Sequence, residues 1–303
     1  RIGESQRIVR AQHYRSASRR DLAVSDCARA TARYEGTSSR IAALRPGPPM
    51  PLLKADDKLV YYAHVPKCGG MSVGRYLTER FGALAFHDSR HTRHDPASRW
   101  SRTSPQHIDR ASLARLFPAG FFDAVFTIVR HPVSRIVSAY HFQLEVEQSI
   151  PAGMGLSDWL ADVEERLEED PFAFDNHVRP MSDIVPEPAV VFHVEHGLDA
   201  LVPWFDVLTG TRAGPRALPR VNAHGAYRGS KTGKAVPGDS DLARIARLYA
   251  VDFDRFGYEI GSPAPAAAPP ELDPETVADR DAALAAMRKP MARLKRRMNR
   301  LLG

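Results

Sequence analysis

Two short segments carry residues that could hold an anion. The first is His64-Val65-Pro66-Lys67-Cys68-Gly69-Gly70-Met71-Ser72. Its glycines let a phosphate approach the backbone, Lys67 adds a point charge and Ser72 a hydroxyl. A helix starting there would add partial positive charge at its N-terminus. The second is Val129-Arg130-His131-Pro132-Val133-Ser134-Arg135-Ile136-Val137-Ser138-Ala139-Tyr140. The guanidinium fork of Arg130 and the hydroxyl of Ser138, two helical turns further on, can converge on a second phosphate. Lys67 precedes its glycines, unlike the G-x-x-x-x-G-K-[ST] order of nucleoside triphosphatases. Glu195 is the only acid at a strand end that could serve Mg²⁺, and a weak candidate. That combination predicts a phosphate-bearing donor other than ATP. A P-loop-type nucleotide kinase or a phosphate-binding protein is the alternative reading.

The elements that must position these residues follow from hydrophobic pattern. Leu59–Val65 is a continuous apolar, β-branched and aromatic run, suited to a strand buried on both faces. The Gly-rich loop ends it, and Ser72, Val73, Tyr76, Leu77 and Phe81 then fall at helical spacing with Gly82 as a stop. Ala124–Val129 is a second buried strand, ended by Arg130-His131-Pro132, and Pro132 suits the first turn of the next helix. The third strand is Ala189–Val194. Helices are expected over Ser112–Phe117, Leu156–Glu169, from Gly197 to Leu208, and over Leu242–Phe253. Residues 86–110 and 210–240 read as loops. Strands alternating with helices predict an α/β fold, three-layered and P-loop-like, with a mostly parallel central sheet flanked by helices. Arg130 then lies at the carboxyl end of a strand, where ligands bind in such sheets.

Composition bounds the function classes. The chain has 303 residues, 43% hydrophobic and 26% charged, which excludes wholesale disorder, collagen-like repeats and a coiled-coil rod. Cys27 and Cys68 are the only cysteines, so a disulfide framework is excluded. No apolar run approaches the ~20 residues of a membrane span. The net charge of +6 invites a nucleic-acid reading, but residues 1–50 carry +6, residues 284–303 carry +7 and the body carries −7. The basic balance belongs to the tails. Residues 1–49 read as disordered or as a non-native extension preceding a start at Met50. The organised domain is expected over 50–262, a Pro/Ala linker over 263–272, and a basic amphipathic helix over 273–303. That helix opens with Asp273-Pro274 and is kinked by Pro290. Its seam of Leu284, Met287, Met291, Leu294, Met298 and Leu301 suggests a homodimer, packing on the body or a membrane-surface contact.

Together, P-K-x-G-G-x-S after one strand and V-R-x-P-x-x-R-x-x-S-x-Y after another resemble the sulfotransferases that use 3′-phosphoadenosine 5′-phosphosulfate (PAPS). The nearest type is the carbohydrate one, including the heparan sulfate 2-O-sulfotransferases. The resemblance implies that Lys67, Cys68, Gly69, Gly70, Met71 and Ser72 hold the 5′-phosphosulfate, and that Arg130 and Ser138 hold the 3′-phosphate. It departs at Cys68 and Met71, where the family more often has Thr. Val191–Leu198 and Leu248–Glu259 extend the likeness, which covers residues 58–260. A later family loop touching PAPS would correspond to Tyr227–Lys234, with Arg228 and Lys231 as its contacts. PAPS is thus the implied co-substrate, with no metal, and a hydroxyl-bearing acceptor such as a glycan. A bacterial, cytoplasmic enzyme is the corresponding expectation, with no nucleic-acid partner.

Sulfuryl transfer to a hydroxyl needs a base, and histidine suits that work. His107 lies 23 residues before Arg130, similar to the spacing of the base in the 2-O group. His94, in Arg93-His94-Asp95-Pro96-Ala97, is the second candidate. Lys67 is expected to act on the leaving oxygen as well as to bind. His87, His91 and His94 would share one face of a helix and could hold zinc, but their surroundings make a poor helix. Asp175-Asn176-His177-Val178-Arg179-Pro180 resembles a segment near the acceptor cleft of relatives, with His177 or Arg179 meeting a polar or anionic acceptor.

Overall fold

The computed structural model describes residues 51–88, 90–219, 233 and 235–301, with side chains described as far as Met287. Strand β1 (Leu52–Ala55) pairs antiparallel with β2 (Lys58–Ala63). The hairpin turns at Asp56-Asp57, with Asp56 at φ 53°, a left-handed position that aspartate tolerates better than most residues. β2 then pairs parallel with β3 (Ala124–Val129), and β3 parallel with β4 (Val190–His193), in the order β1-β2-β3-β4. The expected mostly parallel sheet is present. β1 was not foreseen: four residues containing Lys54, directly after Pro51, are too short to show a period.

Helices α1 (Gly70–Phe81), α2 (Arg110–Leu116), α3 (Pro132–Phe142) and α4 (Leu156–Glu169) follow in chain order. After them come α5 (Met181–Ile184), α6 (Leu201–Thr209), α7 (Asp239–Leu248), α8 (Ala250–Phe256) and α9 (Pro274–Leu301). Both faces of the sheet are covered. Val60, Tyr62, Phe126 and Ile128 join Val73, Tyr76 and Leu77 of α1 and Leu201, Val202 and Phe205 of α6 in one core. Tyr61 and Ala63, on the opposite face, pack with Ile108 and Leu113. This two-sided burial is why the β2 sequence is continuous rather than alternating. A separate core joins α3, α4 and α7 through Ile136, Tyr140, Trp159, Leu160, Val163 and Ile245.

The single helix expected over Leu242–Phe253 is two. It breaks at Tyr249 (φ −115°, ψ 24°), whose buried hydroxyl donates to the Val178 carbonyl at 2.6 Å. The α9 start agrees with its sequence signals. Asp273 accepts from the Thr276 N–H at 2.9 Å and the Thr276 hydroxyl at 2.6 Å, capping the helix. Arg212 pairs with Glu275 at 2.7 Å and Asp279 at 2.6 Å, fastening the first turns to the body. Helix α9 continues through Pro290. Most of its apolar seam lies outside the described side chains, as residues 1–50 lie outside the described residues. No described helix is long and apolar enough to cross a membrane.

Candidate active site

The loop after β2 curls at two left-handed residues, Lys67 (φ 71°) and Gly69 (φ 85°). Gly69 is the N-cap of α1 and receives the Ser72 and Val73 N–H groups at 3.0 and 3.3 Å. No side-chain oxygen caps this helix, so its N-terminal field faces the loop. Cys68 turns its thiol into the core, where burial pushes it up to about 12. An anion in this loop would therefore meet the Cys68 backbone and not its side chain. Met71 is exposed.

Two arginines of the second motif hold the loop from below. Arg135, 1% exposed, donates from Nε to the Pro66 carbonyl and from Nη2 to the His177 carbonyl, each at 3.2 Å. It is a structural strut. Arg130 donates from Nη1 to the Lys67 carbonyl at 3.2 Å, and makes no other hydrogen bond or ion pair among the described residues. The rest of its fork stays open at the carboxyl end of β3. Lys67 likewise makes no ion pair among the described residues, although the Glu147 charge acts on it from beyond contact distance; its Nζ lies 3.9 Å from the centre of the Phe142 ring. Burial, then the Arg130 charge, lower the Lys67 ammonium from 10.5 to about 8. Two cations without an ion pair among the described residues are thus held at the ends of adjacent parallel strands, with Glu147 acting on Lys67 from further away. Ser138 lies part-buried on α3.

The histidines gather beside this loop. The His107 ring is 5.1 Å from His64 and 4.8 Å from His177, centre to centre. His177 stacks on Phe142 at 4.9 Å, the ring that also carries Lys67. Burial, followed by the His107 ring, drives His64 far below its ordinary value and His177 down to about 3. Both are neutral near pH 7. His107 Nδ1 lies 2.8 Å from Asp175 Oδ2. Burial opposes the Asp175 charge, yet the His107 ring and its hydrogen bond, with His177 and Ser104, hold its carboxyl below the usual range. His94 stands apart, half exposed, with Nε2 3.5 Å from Asp88.

His87, His91 and His94 do not converge on one point. Among the described residues the group with metal-ligand proximity is His107, Asp175 and His177, whose ligand atoms lie within 4.8 Å of one another. The 2.8 Å His107–Asp175 approach is a direct hydrogen bond, with the Lys67 charge nearby. That suits a base and its partner better than a cation. Glu195 is already engaged. Its Oε1 accepts from the His131 N–H at 2.8 Å and its Oε2 from the Tyr258 hydroxyl at 2.9 Å. His131 in turn caps α3 by accepting the Val133 N–H at 3.2 Å.

Sequence reasoning did not find Asp175 as the partner of His107, nor Phe142 as the platform for Lys67. Both are ordinary residue types whose significance comes from tertiary proximity. Arg228 and Lys231 lie outside the described residues.

A model of the sulfotransferase family matches residues 51–259, the stretch holding the loop, Arg130 and the histidine cluster. No match was found among curated proteins or among solved structures. The sequence motifs, the sheet that presents them and this match agree: the chain belongs to the sulfotransferase family.

Proposed function

We propose that the protein transfers the sulfuryl group of PAPS to a hydroxyl of a carbohydrate or other small acceptor. The observation that carries this reading is the pair of cations, Lys67 and Arg130, that make no ion pair among the described residues at the carboxyl ends of β2 and β3. Leaving two such charges together is costly unless a polyanion completes the site. The 5′-phosphosulfate would lie in the Lys67–Ser72 loop, and the 3′-phosphate against Arg130 and Ser138. Arg228 and Lys231, outside the described residues, are further proposed donor-binding residues.

His107 takes the acceptor proton as the acceptor oxygen attacks sulfur. The bond between sulfur and the bridging oxygen breaks, and its electron pair stays on the 5′-phosphate of adenosine 3′,5′-bisphosphate. Lys67 stabilises that developing charge. The contact of His107 with His177, and of His177 with the Lys67 platform Phe142, favours His107 over His94 as the base. A kinase reading is disfavoured by the engagement of both Glu195 oxygens. The domain is assigned to residues 50–262, with 263–272 as linker and 273–303 as an appended basic helix.

Thermal shift tests the donor assignment. Adenosine 3′,5′-bisphosphate should raise the melting temperature without Mg²⁺, whereas ATP with Mg²⁺ should not. Stabilisation by ATP–Mg²⁺ alone would favour the kinase reading.

A further inference from the structure

Asp175 reaches His107 from a segment of unusual backbone. Phe174, Asp175 and Asn176 have φ of 53, 53 and 61°, three successive non-glycine residues in the left-handed region. Each such residue is ordinarily disfavoured by contact of its Cβ with the following carbonyl oxygen, somewhat less for Asn and Asp. Runs of this kind persist where the surroundings over-determine them, and they cluster at functional sites. Here the turn gives a double grip on one residue. Asp175 Oδ2 accepts from the His107 ring at 2.8 Å, and the wholly buried Asn176 donates from Nδ2 to the His107 carbonyl at 2.7 Å. Ser104 completes the arrangement, giving its backbone N–H to Asp175 Oδ1 and its hydroxyl to Oδ2, both at 2.6 Å.

The hydrogen-bond inventory fixes the ring's proton. An ionised carboxylate only accepts. The single Ser104 hydroxyl proton is spent on Asp175, so the 3.2 Å contact between Ser104 Oγ and His107 Nδ1 must also run from the ring. Nδ1 therefore carries a proton, and in the neutral ring the lone pair is on Nε2.

We propose that Asp175, presented by the left-handed turn 174–176, is a positioning residue that holds His107 in the Nδ1–H form and leaves Nε2 as the proton acceptor. The inference rests on the reading of His107 as base. During transfer the acceptor proton arrives at Nε2 as the acceptor O–S bond forms and the bridging O–S bond breaks. The resulting imidazolium faces the Asp175 carboxylate, which orients it and takes up no proton.

Asp175→Asn separates this role from a merely structural one. The Ser104 backbone N–H demands an oxygen at the Oδ1 position, so the new NH₂ group must occupy the Oδ2 position. There it donates to Nδ1 and drives the ring proton to Nε2. Nitrogen-15 NMR of the histidine rings reads this directly, with His107→Gln identifying the resonance. Wild type should show a protonated Nδ1 and the variant a protonated Nε2. With an acceptor from a labelled-PAPS screen, kcat of the variant should fall about 10²- to 10⁴-fold with donor KM within about twofold. A neutral wild-type ring protonated at Nε2 and not at Nδ1 overturns the proposal without any variant, should Asp175→Asn fail to fold. A variant with unchanged tautomer and kcat, beside an inactive His107→Ala, overturns the proposal alone. An active His107→Ala overturns the underlying base assignment instead.

Discussion

Arg130 Nη1 donates to the carbonyl oxygen of Lys67 at 3.2 Å, joining two motifs 63 residues apart. The bond uses one of five guanidinium N–H groups and sets the left-handed turn of the loop against the end of β3. With the 3′-phosphate against Arg130 as proposed, Arg130→Ala should cost about 1.5–3 kcal/mol, or roughly 10- to 150-fold in affinity for adenosine 3′,5′-bisphosphate. Calorimetric titration at low and high salt checks this. Undiminished affinity would place the 3′-phosphate elsewhere.

The lowered Lys67 ammonium gives donor binding a pH dependence. In the free protein Lys67 is charged below pH 8 and loses its proton above it. An anionic donor binds the charged form, so affinity should be level below about pH 8 and fall as pH rises past it. Lys67→Arg should abolish the fall. The same value predicts that the free protein gains stability between pH 8 and 10.5, because there the unfolded lysine binds the proton that the folded one has released. Melting curves across that window check the sign.

Arg135 supports both halves of the site through Pro66 and His177, and its charge offsets that of buried Asp252. Arg135→Met should destabilise the protein by about 1.5–3 kcal/mol at pH 7, since the Pro66 and His177 carbonyls lose a charged donor and the buried Asp252 carboxylate loses a nearby positive charge. Burial raises the Asp252 carboxyl above its ordinary value, so its ionised form is penalised in the fold. The cost should therefore shrink as pH falls toward the carboxyl range, measurable by urea denaturation at pH 7 and pH 5.

Much of the sheet was legible in the sequence, because strands buried on both faces leave continuous apolar runs such as Leu59–Val65 and Ala124–Val129. Lys67 and Arg130 were legible because loop chemistry is local: glycines, a cation and a strand end within a few residues. The short strand Leu52–Ala55 was not, since pairing with β2 and not periodicity defines it. Asp175 was read only as part of an acceptor-side segment. Its partner His107 is 68 residues away, and the left-handed run that joins them has no glycine to announce it.

Chelation should leave activity unchanged. His107 and Asp175 are in direct hydrogen-bond contact, and the proposed base needs no cation between them. Turnover after dialysis against EDTA checks this. Loss of turnover restored by zinc would reassign His107, Asp175 and His177 as metal ligands.

The most direct measurement is transfer of ³⁵S from labelled PAPS to a panel of glycans and small alcohols by the intact protein without added metal. Label should appear on a hydroxyl of at least one acceptor, with stoichiometric adenosine 3′,5′-bisphosphate, and should vanish in Lys67→Ala and His107→Ala. Label transfer that survives both substitutions, or a protein that neither binds PAPS nor releases its sulfuryl group, would contradict the assignment.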